Sequence, residues 1–241
     1  MDHVEYVDAR HITREFCAAV AEVVDKAMAE NSAAPFHYMI SGTNVADVRL
    51  KADCKQLAVL KDFASSLAST LTPGMDVISV RLLFSPPNSP AQRFHLDYAQ
   101  HFSEVQTIFI SVSPSTSSNC TEWLNFGAAT GEVAQRAREL ARKSGVLELP
   151  QLSEVRPTVE RLVLSAWQTC ILRTSHVFHR RGPNRSDFTR ITFNVDVAKI
   201  SESPQFIDLD MRRSLLQHRI CGQEVVDDLD EQDICVHGFE E

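Results

Sequence analysis

The sequence lacks several patterns that define large classes of protein. None of its six cysteines forms a CxxC pair, which argues against a zinc ribbon or a thioredoxin-like redox centre. No apolar run approaches the roughly 18 residues that a membrane-spanning helix needs. The first residues, MDHVEYVDARHITREF, are charged and carry no apolar core of the kind found in signal peptides. We therefore expect a soluble, cytoplasmic protein with reduced thiols and no membrane partner.

Positive charge is also scarce. The chain has 24 lysines and arginines against 32 acidic residues, a formal net charge of -8. Non-specific binding of nucleic acid needs a predominantly basic surface, so the composition gives no strong support for a nucleic-acid partner. Internal repeats and low-complexity linkers are absent as well. With 241 residues, 44% of them hydrophobic, the chain is long enough to bury a substantial core.

Apolar residues recur at helical spacing in two segments near the N-terminus. Residues 13–30 and 53–71 place apolar side chains three or four positions apart, which predicts two amphipathic helices. Weaker patterns predict an exposed helix at 131–143 and a closing helix at 203–220. We interpret the apolar stripes as core-packing surfaces, and the acidic run near the C-terminus as a solvated surface.

β-branched and apolar residues dominate the sequence from residue 76 onward. They predict strands at 76–84, 105–113, 160–167, 168–173 and 190–197. The predicted order is helices first and strands second, with long insertions between the strands. That order favours an α+β domain in which helices pack against a β-sandwich or barrel.

The segment RFHLDYAQHF contains His95 and Asp97, which are separated by one residue. In an extended chain residues i and i+2 point to the same face, so the imidazole and the carboxylate can reach one cation. With 9 histidines and 32 acids, about one such match is expected by chance. A second match, His3-Val4-Glu5, lies in an N-terminal segment that we expect to be mobile. Taken alone, the motif is better interpreted as a surface pair.

A second polar segment, SHVFHRRGPNRSDFTRITFNVDV, contains residues that could act together with His95 and Asp97. Ten residues separate His179 from Arg190, and a Gly-Pro-Asn turn lies between them. We expect a hairpin that returns Arg190 to the neighbourhood of His179. Two histidines and one carboxylate form the facial triad of non-haem iron oxygenases, which leaves three positions on the ferrous ion open. Two of these suit an oxo acid and the third suits dioxygen, while Arg190 offers a planar cation to the far carboxylate of 2-oxoglutarate.

The order of these motifs, HLDY, then HRRGPN, then Arg190, resembles the phytanoyl-CoA-hydroxylase-like branch of the Fe(II)/2-oxoglutarate-dependent dioxygenases. The resemblance covers residues 95–197. It implies a double-stranded β-helix, the jelly-roll or cupin-like fold, flanked by N-terminal helices. It also implies one oxygenase domain over 1–241, made of a helical flank (1–75), a jelly-roll core (76–200) and a C-terminal helix with an acidic tail (201–241).

The same resemblance implies a role for each residue of the two motifs. His95, Asp97 and His179 would be the metal ligands and the catalytic residues, while Arg190 and Thr192 would bind 2-oxoglutarate. Fe(II), 2-oxoglutarate as co-substrate and O2 would take part. The implied activity is oxidation of a C–H bond in a small-molecule substrate, most simply hydroxylation, with release of succinate and CO2. Halogenating relatives carry a small residue in place of the carboxylate, so Asp97 favours hydroxylation or desaturation.

Three further residues near these motifs have alternative interpretations. His176 competes with His179 for the distal ligand position, but the spacing to Arg190 and the adjacent turn favour His179. His176 would then be a second-shell group or a surface residue. Tyr98 is a candidate for lining the pocket, and His101 is a pocket or surface residue rather than a ligand.

Two other clusters and two other functions stay open. Four arginines crowd the distal segment and form either a solvated hairpin or a site for an anionic group: Arg173, Arg180, Arg181 and Arg185. Asn119, Thr121 and Glu122 lie in a polar loop that is a candidate for facing the substrate.

The alternative functions are a non-catalytic jelly-roll binding module and a cupin-like metalloenzyme that uses no 2-oxoglutarate. The intact set of four groups argues against the first, and Arg190 argues against the second.

Overall fold

Strands in two antiparallel sheets form the centre of the protein. The computed structural model describes residues 4–30, 46–47, 55–92, 94–97, 102–144 and 157–199. The strands within these ranges are β1 (Val4–Val7), β2 (Ala46–Asp47), β3 (Asp76–Ser85), β4 (Val105–Ser111), β5 (Thr121–Asn125), β6 (Thr158–Leu162), β7 (Thr169–Leu172), β8 (His179–Arg181) and β9 (Arg190–Ala198). The α-helices are α1 (Arg14–Glu30), α2 (Lys55–Leu71) and α3 (Thr130–Ser144). In this part of the chain, no helix has both the length and the apolar character that crossing a bilayer requires.

The large sheet joins strands that are far apart in the sequence. Its order is β1-β7-β4-β9-β3-β2, so that β9 lies between β3 and β4, and the small sheet has the order β6-β5-β8. All of these pairs are antiparallel. Two facing sheets of interleaved antiparallel strands are characteristic of a jelly roll. The expected double-stranded β-helix with N-terminal helices is therefore confirmed, and so are the three helices predicted near residues 13–30, 53–71 and 131–143.

Strand β9 divides its side chains between two environments, because successive residues of a strand point to opposite faces. The alternate residues from Ile191 to Val197 pack against α1 and α2. In that core Phe16 stacks on Phe63 with ring centroids 3.6 Å apart and meets Phe193 edge-on at 5.0 Å. Full burial of a side chain such as Phe16 contributes roughly 1.5–3 kcal/mol. The other face of β9 carries four polar residues before Ala198 ends the strand: Arg190, Thr192, Asn194 and Asp196.

A second apolar layer lies between α3 and the small sheet. It contains Leu96, Leu124, Phe126, Val133, Ala134, Ala137 and Phe178. Leu96 lies between His95 and Asp97, and Phe178 directly precedes His179, so the burial of Leu96 and Phe178 under α3 turns the three polar side chains the other way. The helix thus fixes the direction in which the candidate ligands point.

Two expectations about local structure were wrong. The N-terminal segment expected to be mobile contains β1, whose residues Val4–Val7 pair with β7. The segment interpreted as a polar loop contains β5, which is the central strand of the small sheet. Both strands are only four or five residues long, so their alternation is too brief to stand out in the sequence. The helix predicted at 203–220 lies outside the described residues, as does the acidic tail.

The expected hairpin between His179 and Arg190 is also wrong. Strand β8 belongs to the small sheet and β9 to the large sheet, so this connection crosses from one sheet to the other. The crossing is held by Asn184, whose Nδ2 donates hydrogen bonds to the carbonyls of Ser85 at 2.7 Å and Phe188 at 2.9 Å. The asparagine of the Gly-Pro-Asn turn therefore ties the start of β9 to the end of β3.

The glycine of the same turn allows a close backbone approach. Gly182 N donates to the carbonyl of Cys120 at 3.0 Å, and a Cβ at this position would lie 2.5 Å from that oxygen. A side chain therefore cannot be added without moving the backbone of either the turn or the segment before β5.

We expect Gly182→Ala to destabilise the protein by about 1–3 kcal/mol, the usual cost of overpacking a well-packed position. Urea unfolding of the variant and the wild type measures the change. Gly131→Ala is the matched control, because a Cβ at Gly131 meets nothing within 4 Å. In α3 that substitution should be neutral or stabilising by up to about 1 kcal/mol. Equal stabilities for the two variants would contradict the described close approach.

Candidate active site

Two backbone hydrogen bonds place His95 and His179 next to each other. His95 N donates to the carbonyl of His179, and His179 N donates to the carbonyl of His95, each at 3.0 Å. The pair forms an isolated antiparallel bridge. Residues that face each other in such a bridge project their side chains to the same side. The two imidazoles accordingly lie with ring centroids 4.6 Å apart.

Asp97 completes a group of three possible ligands. Its backbone N–H donates to the carbonyl of Thr174 at 3.0 Å, which keeps the chain extended past His95. Its Oδ1 lies 3.5 Å from Nε2 of His95, and its Oδ2 lies 3.3 Å from Nε2 of His179. Donor atoms bound to one ion at about 2.1 Å are separated by about 3.0–3.4 Å for bond angles between 90° and 109°. The two separations lie at the upper end of this range or just above it, and all three ligand atoms lie within 4.8 Å of one another, so the three side chains can be brought to a single metal ion by small adjustments.

The tautomer of His179 also points to a cation. Its Nδ1 lies 3.1 Å from the carbonyl oxygen of Val177, which can only accept a hydrogen bond, so Nδ1 carries the proton. In the neutral ring Nε2 then presents a lone pair to the carboxylate of Asp97. Two acceptors at 3.3 Å repel each other unless a proton or a metal ion lies between them. A hydrogen bond from Nδ1 to a carbonyl is the usual arrangement for a metal-binding histidine.

Asp97 is charged despite its burial. Burial alone would raise the pKa of this carboxyl. When a proton rather than a metal ion lies between Asp97 and His179, the attraction and the hydrogen bond to that ring, together with Arg81 and His95, hold the pKa of the carboxyl well below its usual range. The carboxylate form, which is the form that binds a cation, is therefore present at neutral pH.

Arg190 lies on the same polar face of the large sheet and reaches across to the small sheet. One of its terminal nitrogens, Nη1, donates to the carbonyl of Asn119, and Nη2 donates to Oγ1 of Thr121 at 3.1 Å. Both partners are neutral, and none of the ion pairs found among the described residues includes this guanidinium. Burial lowers the pKa of Arg190 to about 10, so the side chain still carries its charge at neutral pH.

The sheet register sets the separation between Arg190 and the three candidate ligands. Thr121 pairs with Arg181 across β5 and β8, and Trp123 pairs with His179. Two residues along a strand advance about 7 Å. The Thr121 hydroxyl that binds Arg190 is therefore about 7 Å along the sheet from the level of His179. This separation is roughly the length of a short dicarboxylic acid. Thr192 is the neighbour of Arg190 on the same face, opposite Leu83 of β3 and Ser111 of β4.

The other residues singled out in the sequence have different positions. The group of candidate ligands does not include His176, whose Nδ1 lies 3.0 Å from Oγ of Ser175. Asn119 and Thr121 contact Arg190, whereas Glu122 points to the opposite face and pairs with Arg180 at 2.7 Å. Tyr98 and His101 lie outside the described residues.

The distal arginines are not one cluster. Arg180 pairs with Glu122 and lies over the ring of Phe94, with its Cζ 4.2 Å from the ring centroid. Arg181 is buried on the inner face, where its Nη1 donates to Oγ of Ser89 at 2.7 Å. Burial, together with the nearby charge of Arg190, lowers the pKa of Arg181 to about 10. Two buried guanidinium groups therefore lie on the inner side of the barrel near the candidate ligands.

The sequence alone did not single out Arg81 and Asp196, which also lie at this site. Arg81 Nη2 is 3.7 Å from Oδ2 of Asp97 and 2.7 Å from Oδ2 of Asp196. Arg81 lies among mostly apolar residues in DVISVRLLF, and Asp196 lies between two valines in RITFNVDV. A charge inside a buried strand must be paired, and that is the signal that could have located both residues.

Comparison with known proteins shows a likeness in structure alone. The sequence matches no protein-family model and no curated protein. AviO1 from Streptomyces viridochromogenes Tue57 superposes with a TM-score of 0.57 at 13% identity, covering 82% of this chain and 90% of that one. For EctD from S. alaskensis with bound Fe the TM-score is 0.54 at 11% identity, with 83% and 74% covered. HygX from Streptomyces hygroscopicus with nickel and 2-oxoglutarate bound superposes with a TM-score of 0.53 at 9% identity, covering 81% of this chain and 82% of that one.

Two further matching structures are of non-haem, α-ketoglutarate-dependent enzymes from nogalamycin biosynthesis. At 9–13% identity these likenesses concern the arrangement of the backbone. The chain thus has the jelly-roll fold that these structures share.

Proposed function

We propose that this chain is an Fe(II)- and 2-oxoglutarate-dependent oxygenase that oxidises, most simply by hydroxylation, a C–H bond of a small organic substrate. One observation carries the proposal. His95, Asp97 and His179 offer three ligand atoms within 4.8 Å of one another. A buried, charged Arg190 is held by Thr121, which lies two residues, about 7 Å, along β5 from the residue that pairs with His179.

The donor set fits non-haem iron and does not fit a structural zinc site. Two imidazole nitrogens and one carboxylate oxygen, grouped on one side, are the ligands of non-haem Fe(II) oxygenases, and they leave positions open for other molecules. A structural zinc site would instead close its coordination with four protein ligands. No fourth His, Cys, Asp or Glu joins the group among the described residues. EctD, which has the same fold, is described with bound Fe, in agreement with this assignment.

The buried guanidinium of Arg190 favours 2-oxoglutarate as the second component. A buried cation whose described partners are neutral is stabilised by a bound anion, and a planar guanidinium binds a carboxylate through two parallel hydrogen bonds. The distance to the candidate ligands suits a molecule that chelates the metal at one end and carries a carboxylate at the other. Thr192, on the same face, would contact this carboxylate. HygX, of the same fold, is described with 2-oxoglutarate bound.

Each residue of the site would have a separate role in the reaction. Iron with bound 2-oxoglutarate would supply the activation of dioxygen, with succinate and CO2 released. Asp97 and His179, whose side chains are 4% and 6% exposed, would form the closed side of the metal centre. His95 is 14% exposed, so the substrate would approach from its side. Arg190 and Thr192 would orient the co-substrate and keep water from its carboxylate.

The metal site is tested by substituting each ligand. We expect His95→Ala, Asp97→Ala and His179→Ala each to lower Fe(II) affinity beyond detection and to abolish 2-oxoglutarate turnover, because two protein ligands do not retain the ion. Anaerobic Fe(II) titration and succinate release measure the two effects, and circular dichroism checks the fold. His176→Ala is the matched control, since His176 is adjacent in sequence but outside the group of ligands.

The control should bind Fe(II) like the wild type and keep appreciable activity. An active His179→Ala together with an inactive His176→Ala would contradict the assignment of the distal ligand. Fe(II) binding that survives all three ligand substitutions would contradict the metal centre as a whole.

The co-substrate site is tested by substituting Arg190. We expect Arg190→Ala to weaken 2-oxoglutarate binding on the order of a hundredfold or more, because the distal carboxylate loses its partner in a buried pocket. Arg190→Lys should be impaired less, since lysine keeps the charge but not the planar pair of donors. Metal content should stay at the wild-type level in both, because Arg190 is not a ligand. Isothermal titration of the metal-loaded proteins with 2-oxoglutarate measures the affinities.

Arg10→Ala is the control for this series, because Arg10 is an exposed arginine that pairs only with Asp8 among its described neighbours. It should bind 2-oxoglutarate like the wild type. An Arg190→Ala protein with an unchanged affinity for 2-oxoglutarate would remove the reason for choosing this co-substrate.

A further inference from the structure

Behind the candidate ligands lies a buried ion pair that none of the proposed roles explains. Arg81 of β3 and Asp196 of β9 point into the barrel, and the Asp196 side chain is completely buried. Their terminal atoms, Nη2 and Oδ2, are 2.7 Å apart. A buried ion pair contributes little to stability, because desolvation offsets most of the attraction and an apolar pair of similar volume often does as well. Its position next to Asp97 offers a different explanation.

An ion-pair contact and a chain of hydrogen bonds connect Arg81 and Asp196 to Asp97 by two routes. On one side Arg81 Nη2 lies 3.7 Å from Oδ2 of Asp97. On the other side Oγ1 of Thr107 donates to Oδ1 of Asp196 at 2.7 Å and lies 3.0 Å from Oγ1 of Thr174. The carbonyl of Thr174 accepts the backbone N–H of Asp97 at 3.0 Å. The backbone and the side chain of Asp97 are thus fixed by the same closed ring of contacts.

Each oxygen of Asp97 faces one imidazole. Oδ1 lies 3.5 Å from Nε2 of His95 and Oδ2 lies 3.3 Å from Nε2 of His179, while Arg81 approaches Oδ2 alone. A carboxylate that turned about its Cβ–Cγ bond would lose both of these contacts. A cation held beside Oδ2 restricts that rotation, so the carboxylate keeps the orientation in which it meets both imidazoles.

We propose that Arg81 is a positioning residue that holds the carboxylate of Asp97 in the orientation in which it faces both His95 and His179, with Asp196 and Thr107 fixing Arg81 in place. This inference rests on the metal centre of the proposed function. In the same position Arg81 neutralises Asp196, so the second carboxylate near the centre does not compete for the ion.

The test is a titration with Co(II), whose visible spectrum reports its coordination. The main variant is the double substitution Arg81→Met with Asp196→Asn. It removes both charges together, so no unpaired charge is left in the core, and asparagine can still accept from Thr107. Arg81→Lys is the second variant, since its compact ammonium can stay on Asp196 but cannot span both carboxylates as the guanidinium does. Arg10→Met, at an exposed ion pair, is the matched control.

We expect the double variant to bind Co(II) about 10- to 100-fold more weakly than the wild type, the usual effect of losing a residue that orients a metal ligand. Its Co(II) absorption spectrum should change, because the released carboxylate can turn and bind the ion in a different geometry. Arg81→Lys should lie between the double variant and the wild type in both affinity and spectrum. Arg10→Met should match the wild type. A residue that only stabilised the fold would change the unfolding midpoint and leave the Co(II) spectrum as it is.

Wild-type affinity together with a wild-type spectrum in the double variant would overturn the role of Arg81. If the double variant does not fold, the same result in Arg81→Lys would overturn it. A wild-type protein that binds no Co(II) would instead overturn the metal centre, and with it the proposed function.

Discussion

The pair of backbone hydrogen bonds between His95 and His179 is the contact on which the candidate site depends. It joins the segment after β3 to strand β8, which is distant in sequence, and it sets both imidazoles on one side of the backbone. Asp97 then follows from the two-residue period of an extended chain. Without this bridge His95 and Asp97 would remain a short polar motif on a connecting segment, and His179 would have no partner for a metal ion.

Strand β9 connects the stability of the fold with the chemistry of the site. One face supplies Phe193 and its apolar neighbours to the core under α1 and α2. The other face supplies Arg190, Thr192 and Asp196 to the interior of the barrel. A shift of one residue in its register would exchange the two sets, burying charges under the helices and removing the proposed co-substrate site. The apolar core therefore also fixes the position of Arg190, and no separate scaffold is needed for it.

The sequence predicted the parts of the structure that depend on local pattern. The three helices follow from apolar periodicity, and the shared face of His95 and Asp97 follows from their spacing. Strand pairing is different, because it depends on which distant segment lies alongside. The segment from His179 to Arg190 therefore looked like a hairpin, although it crosses between sheets. Arg81 and Asp196 were missed for the same reason, since the role of each depends on its contact with a residue of another strand. The short strands β1 and β5 were missed because they show too few alternations.

The central claim is that one ferrous ion and one molecule of 2-oxoglutarate bind together at His95, Asp97 and His179. The most direct measurement is an anaerobic titration of the Fe(II)-loaded protein with 2-oxoglutarate, followed by visible absorption. The chelated oxo acid should give a weak metal-to-ligand charge-transfer band that saturates with one equivalent of 2-oxoglutarate. The band should be absent when Zn(II) replaces Fe(II), because Zn(II) has no accessible redox state. Bound Fe(II) that gives no such band at saturating 2-oxoglutarate would contradict the account.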